Sequence, residues 1–387
     1  MERSPEDNSL MHRTLTTAAE LQSLPSSMVA LSFVVDSALV AVFWTGRGDT
    51  TAAWVAALGV LLANFINWEL LRRLPKAGRS FGPDKPAALA LGGVMALVVT
   101  LLGLFGVSFA FALLVVVLIS ALAYYATWIE PFALGITRQR YSAKTWQGTG
   151  EVCLRVLHIA DIHVERTSPR ERELVAMIEH FKPDLIVFSG DFVNISYTND
   201  AQAKADIRTL IGAWHAPLGV YCVPGTPEVE PLPRVLEFVQ GLDNLNLLAN
   251  RWVTIETPCG ALHILGMITT HILKTDRDTL ARMMQTAPDG GIKLLLTHSP
   301  DIAPEAARAG IDLYLCGHTH GGQVRLPLYG ALLTSSQLGK RFEMGRYELG
   351  GMTLYTSRGV GLEGHGAPRA RLFCPPEVTL WEIASAR

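Results

Sequence analysis

Residues 154–163 read Leu154-Arg155-Val156-Leu157-His158-Ile159-Ala160-Asp161-Ile162-His163. The run 154–160 is apolar apart from Arg155 and His158, and has the length and composition of a strand buried on both faces. It leads straight into Asp161 and His163, two strong cation ligands two positions apart. If the backbone stays extended there, both side chains point to one side and Ile162 packs on the other. His158 lies inside the strand and reads as a packing group or as a partner behind the ligands.

The same pattern recurs downstream. Leu185–Phe188 is a second buried strand, followed through Ser189 and Gly190 by Asp191. Lys293–Leu296 precedes Thr297 and His298, and Ile311–Leu315 precedes Gly317, His318, Thr319 and His320. Each ligand follows the carboxyl end of a buried strand, where open α/β sheets form their crevice. Gly190 and Gly317 read as residues that let the backbone turn sharply beside the ligands. Carboxylate oxygens mixed with imidazole nitrogens suit one or two divalent ions, with manganese, iron and zinc not distinguished.

Helical periodicity alternates with these strands at 169–180, 201–214, 232–240 and 279–285, and further strands are expected at 219–223, 252–256 and 261–266. Such alternation predicts a layered α/β domain over residues 153–387. The five cysteines, Cys153, Cys222, Cys259, Cys316 and Cys374, form no paired spacing and read as separate thiols.

The first third is of a different kind. The chain is 49% hydrophobic and only 18% charged over 387 residues, and the apolar excess falls before residue 130. From Pro86 to Ile129 there are 44 residues without Asp, Glu, Lys or Arg. As one helix they would rise about 66 Å, roughly twice a bilayer's hydrocarbon core. Two spans turning near Gly103–Gly106 are expected instead. With the runs from Met28 and Thr51, this gives an all-helical transmembrane region of four helices over 28–129. An N-terminal cytosolic segment, 1–27, precedes it, and a linker, 130–152, follows it. Asp36 within the first run is expected to meet polar groups such as Asn64 of the neighbouring helix. Arg72, Arg73, Lys76, Arg79 and Lys85 crowd the second connection, which places it, both chain ends and the soluble domain on the cytoplasmic side of an inner membrane. A formal charge of −2 argues against a nucleic-acid binder.

His158-Ile159-Ala160-Asp161-Ile162-His163, Lys182–Asp191 with its Ser189-Gly190-Asp191 ending, Thr297-His298 and Gly317-His318-Thr319-His320-Gly321-Gly322-Gln323 together resemble the calcineurin-like metallophosphoesterase family. The likeness is to its bacterial membrane-associated branch of phosphodiesterases and candidate lipid-precursor pyrophosphatases, and spans about Trp128 to Ile383. The resemblance implies a four-layer αββα sandwich with two metals at its loop-lined edge. Asp161, His163, Asp191 and His320 would hold one ion, and Asp191 would bridge to a second held by His298 and His318. Ser357-Arg358-Gly359-Val360-Gly361 and Pro368-Arg369 match the branch's C-terminal pattern, which implies Arg358 and Arg369 as contacts to substrate phosphate. Asp191, His298 and Arg358 are thus the expected catalytic residues.

One motif departs. Where the family has Gly-Asn-His followed by Asp or Glu, this chain has Gly225-Thr226-Pro227-Glu228. Thr226 offers a shorter oxygen for the second ion, Glu228 is the other replacement position, and Pro227 cannot assist a leaving group. The expected activity is metal-dependent hydrolysis of a phosphodiester or pyrophosphate, with a membrane lipid or lipid-linked phosphate as substrate. A catalytically impaired metal- or phospholipid-binding membrane protein is the alternative.

Overall fold

The structure is a computed structural model that describes residues 17–46, 48–366 and 368–386, so most of the segment 1–27 lies outside it. The chain divides into two compact units. One holds the helices up to Ile129 with Gly364–Ala370, and the other holds Glu130–Glu363 with Arg371 onward.

The first unit contains α1 (Ser26–Thr45), α2 (Thr50–Arg73), α3 (Asp84–Leu104) and α4 (Phe109–Tyr124). All four are long and apolar enough to cross a membrane, the last by continuing through a π-turn, Tyr125–Ile129, to Phe132. They pack through small residues. Ala52, Ala53, Ala56 and Ala57 line one face of α2, and a Cβ on Gly103 would collide with the Trp44 indole, whose Nε1 donates to Val99 O at 3.0 Å. Leu31, Val42, Leu97 and Val117 point outward, as a lipid-facing surface requires. Asp49 caps α2 and Ser108 caps α4. Asn64 is buried, and among the described residues its amide has no hydrogen-bond partner, so the expected contact with Asp36 is not made.

The second unit contains two six-stranded sheets. In chain order the elements that build it are β1 (Gly135–Ala143), β2 (Val152–Ile159), α5 (Pro169–Phe181), β3 (Leu185–Phe188), α6 (Ala201–Gly212), β4 (Val220–Cys222), α7 (Leu232–Val239), β5 (Leu245–Leu247), β6 (Arg251–Thr257), β7 (Gly260–Gly266), α8 (Leu273–Met284), β8 (Ile292–Leu296), α9 (Ala303–Arg308) and β9 (Leu313–Cys316). A small hairpin, β10 (Arg325–Leu326) with β11 (Gly330–Ala331), precedes β12 (Gly345–Leu349), β13 (Met352–Thr356) and β14 (Glu377–Ser385). The first sheet runs β1-β14-β2-β3-β4-β5 and the second β12-β13-β9-β8-β7-β6, each mixing parallel and antiparallel pairs.

Alternation along the strands sorts their side chains into three cores. Val156, Leu185 and Val187 of the first sheet face Leu262, Leu294 and Leu313 of the second. On its other face the first sheet packs Leu157, Ile186 and Phe188 against Leu174, Ile207 and Phe238 of α5, α6 and α7. The second packs Leu295, Tyr314 and Leu354 against Leu280 and Ala306 of α8 and α9. The result is the αββα sandwich, with each buried Leu or Phe contributing about 1.5–3 kcal/mol. α5 shows how firmly local sequence sets an element: Ser168 and Glu171 form a capping box, Pro169 opens the first turn, and Lys182 closes it in a left-handed conformation.

Three expectations are corrected. Residues 130–152 are not simply a linker, because β1 lies within them and pairs in parallel with β14. Its charges, Arg138 and Arg140, suit an edge strand and conceal it. α8 begins six residues before the expected 279, since its first turns, Leu273-Lys274-Thr275-Asp276, are mostly polar. Cys153 and Cys259 form a disulfide with Cα atoms 6.1 Å apart. They are 106 residues apart in sequence, so only the stacking of the two sheets brings them together.

Candidate metal centre

The strands end where the chemistry begins. Asp161 and His163 follow β2, Asp191 follows β3, His298 follows β8, and His318 and His320 follow β9. All six are buried. They form two donor groups, Asp161, His163, Asp191 and His320 in one and Asp191, His298 and His318 in the other, with donor atoms in each group within 4.8 Å of one another. Asp191 belongs to both. Its Oδ2 lies 3.3 Å from His163 Nε2 and 3.2 Å from His298 Nε2.

The backbone does not deliver these ligands by the extended route the spacing suggests. Asp161 (φ 49°), His163 (φ 38°), Asp191 (φ 61°), His318 (φ 72°) and His320 (φ 52°) are all left-handed. Hydrogen bonds hold the turns in place: Asp161 N donates to Gly190 O at 3.0 Å and His163 N to Asp191 O at 3.0 Å. Gly190, at φ 94°, makes the sharp turn expected of it. Gly317 has a different reason to be glycine, for a Cβ there would stand 2.5 Å from both carboxylate oxygens of Asp161.

Three of the imidazoles are held by one ring nitrogen so that the other faces the cluster. His163 Nδ1 lies 2.7 Å from Glu363 Oε2, His298 Nδ1 3.0 Å from Ser189 O, and His318 Nε2 3.2 Å from Ser335 O. With the proton on the held nitrogen, each remaining nitrogen presents a lone pair, the arrangement a metal ligand needs. The inward nitrogens crowd one another: His163 Nε2 and His320 Nε2 are 2.9 Å apart, and His318 Nδ1 and His298 Nε2 are 3.1 Å apart. Lone pairs converging this closely beside two carboxylates fit a cation between them.

The buried charges act strongly on one another across the cluster. Burial raises the Asp161 carboxyl above its usual range, against the opposing pull of His298. Burial works the same way on Asp191, but His298 and His163 outweigh it and hold that carboxyl well below the usual range. Burial disfavours charge on His163, yet Glu363 and Asp191 together push it up to about 10. Burial and the neighbouring His163 depress His320 strongly. Glu230 is buried behind the cluster and pushed up to about 8, first by burial and then by Asp191. It accepts from the amides of Phe192, Val193 and Gly225, tying the Asp191 turn to the Gly225 turn.

The departing motif has a definite place. Thr226 N donates to Asp191 Oδ1 at 2.7 Å, and Thr226 Oγ1 sits 3.2 Å from Asp191 Oδ2 and 3.2 Å from His298 Nε2. Its oxygen therefore borders the second donor group. The Glu228 carboxylate lies 3.6 Å from His271 Nδ1. His271, absent from the residues expected at the site, is buried, left-handed (φ 57°), and 4.7 Å from His318 ring to ring. Glu363 is a second addition. Neither residue follows a strand in a ligand-like pattern, so only the fold reveals them.

The two arginines expected at the phosphate also have partners within the chain. Arg358 Nη2 is bound to Glu377 Oε2 at 2.6 Å and leans toward Thr137 Oγ1 at 3.4 Å, so it braces β14. Arg369 groups with the helical unit, where it seats on Gly82 so closely that a Cβ would collide with it.

Comparison with known proteins gives the same reading. Residues 154–322 match the model of the calcineurin-like phosphoesterase family. The chain is 27% identical over 266 residues to the uncharacterized metallophosphoesterase YkuE of Bacillus subtilis, covering 67% of this chain and 89% of that one. It is 28% identical over 235 residues to phosphodiesterase YaeI of Escherichia coli, covering 59% and 82%. With the UDP-2,3-diacylglucosamine pyrophosphatase LpxG of Chlamydia muridarum it shares 24% over 309 residues, covering 66% and 91%. The chain is a metal-dependent hydrolase with a one- or two-metal centre, built into a multi-pass membrane protein.

Proposed function

We propose that this calcineurin-like metallophosphoesterase domain cleaves a phosphodiester or pyrophosphate bond in a lipid or lipid-linked substrate of the membrane that anchors it. The observation that carries the reading is Asp191, a single carboxylate oxygen within 3.3 Å of imidazoles from both donor groups. Asp161, His163, Asp191 and His320 would hold one divalent ion, and Asp191, His298 and His318 the other, with Thr226 Oγ1 3.2 Å from His298 Nε2 beside the second. When bound, such ions polarise a phosphoryl oxygen and lower the pKa of water.

The chain's own residues arrange the rest. Glu363, Ser189 O and Ser335 O fix the imidazole tautomers, and the Thr226 amide fixes the Asp191 carboxylate. Glu377 orients the Arg358 guanidinium at 2.6 Å, and the ions, when bound, would take up phosphate charge. With Pro227 unable to move a proton, a good leaving group such as a nucleotide is easier to expel than a bare alcohol. The pyrophosphatase LpxG and the phosphodiesterase YaeI support that choice of bond.

For sidedness we favour the cytoplasmic face of an inner membrane, from the basic connection between α2 and α3. The disulfide favours the opposite face, since such bonds persist in oxidising compartments. Protease access to a C-terminal tag in sealed vesicles of known orientation separates the two.

The test is hydrolysis by full-length protein supplied with manganese, iron or zinc, on bis(p-nitrophenyl) phosphate and on CDP-diacylglycerol. Turnover that Asp191→Asn abolishes is expected. Equal rates in both proteins would overturn the assignment.

A further inference from the structure

Among the described residues of the α/β unit, eight large apolar side chains are exposed, and five of them fall within eight consecutive positions. They are Leu326 (45% exposed), Leu328 (110%), Tyr329 (61%), Leu332 (45%) and Leu333 (61%). The other three, Val152, Leu236 and Phe373, lie far apart in sequence. Single exposed leucines are ordinary; four leucines and a tyrosine on one small hairpin are not.

This hairpin, β10 with β11, is built onto the metal centre. It begins three residues after Gly322 of the ligand turn, and Gly321 O accepts from Arg325 Nη1 at 2.8 Å. A Cβ on Gly322 would collide with Ala331, so hairpin and ligand turn are in close contact. At the far end of the hairpin, Ser335 O lies 3.2 Å from His318 Nε2. Both termini of the apolar segment thus touch the segment that supplies His318 and His320.

The charges beside the tip are basic. Lys340 Nζ stands 3.6 Å from the centroid of the Tyr329 ring, and Arg341 is exposed next to it. Glu343, the nearby acid, is already paired with Arg325 at 2.7 Å. Apolar tip, aromatic shoulder and basic flank are the order in which an interfacial segment meets acyl chains, the headgroup boundary and anionic phosphate. Four membrane-spanning helices in the same chain make a bilayer a standing neighbour of this unit.

We propose that the hairpin Arg325–Leu333 inserts its apolar tip into the surface of an anionic bilayer and thereby presents phosphate groups at the lipid headgroup level to the metal centre. The proposal rests on the hydrolase reading only for its second half.

The test uses the full chain in proteoliposomes of phosphatidylethanolamine and phosphatidylglycerol. An environment-sensitive dye is placed at Leu328→Cys or, as a control, at Leu236→Cys, and lipids carrying a quencher on the acyl chain are introduced. Quenching at 328 and none at 236 is expected. No quenching at 328, equal quenching at both positions, or a blue-shifted but unquenched dye at 328, which would mean cover by protein such as a second copy, overturns insertion. In a second arm, Leu328→Asp combined with Leu333→Asp is expected to lower the ratio of turnover on CDP-diacylglycerol vesicles to turnover on bis(p-nitrophenyl) phosphate by about tenfold. An unchanged ratio overturns substrate presentation. If the unaltered protein hydrolyses neither compound, the hydrolase reading fails while the quenching result still decides insertion.

Discussion

Gly317→Ala isolates the geometry of the first donor group. The added Cβ would sit 2.5 Å from both Asp161 carboxylate oxygens, where ordinary contact begins at 3.4 Å, so something must yield by 3.4 − 2.5 = 0.9 Å. Gly317 does not have a positive φ, so alanine brings no backbone strain of its own. Asp161 has little room to retreat. Its amide is bonded to Gly190 O at 3.0 Å, and its carboxylate accepts from His318 N at 3.0 and 3.1 Å. Metal–ligand distances tolerate only about 0.2 Å, so the displacement should empty the site it serves. A misplacement of about 1 Å near the chemistry costs on the order of 100-fold in rate, and overpacking costs about 1–3 kcal/mol of stability. Elemental analysis, kcat/KM on a phosphodiester and thermal unfolding read the three effects. Gly93→Ala, at a helix position where a Cβ meets nothing within 4 Å, is the control. Full metal content and full activity in Gly317→Ala would refute the placement of Asp161 as a ligand.

Glu363→Gln should weaken metal binding by about 10–100-fold, by removing the charged acceptor that orients His163, and a metal titration checks it. Alkylation of the denatured, unreduced protein should modify three cysteines rather than five, and Cys153→Ser with Cys259→Ser should cost about 2–4 kcal/mol in denaturant unfolding. His158 is fully buried, and burial lowers its pKa from 6.5 to about 3. Its contribution to stability is therefore present above pH 6.5 and is lost as pH falls toward 3, at up to about 1.4 kcal/mol per pH unit. Denaturant unfolding of His158→Gln, followed across that window, should give a flatter stability curve than the parent.

The ligand-bearing strands are legible in the sequence because each is a short apolar run that stops at a strong donor: Leu185–Phe188 is found at the expected bounds. The hydrophobic spans are legible through their length and the absence of charge. What escapes depends on neighbours in space. β1 carries arginines because one of its edges is open, and the pairing of Cys153 with Cys259 follows from sheet stacking. Glu363 and His271 reach the centre from segments with no ligand-like spacing. The i,i+2 pairs are recognisable as ligand pairs, but for a geometry the chain does not use, since both members of each pair are left-handed rather than extended.

That conformation complicates the interpretation of mutants. A left-handed backbone costs an ordinary residue about 1–2 kcal/mol, and glycine is relieved of that cost. Alanine scanning across Asp161, His163, Asp191, His318 and His320 therefore reports a lost donor mixed with a backbone left under tension. Glycine at the same positions separates the two, yielding chains that have lost their cation yet melt no lower than the chelated parent.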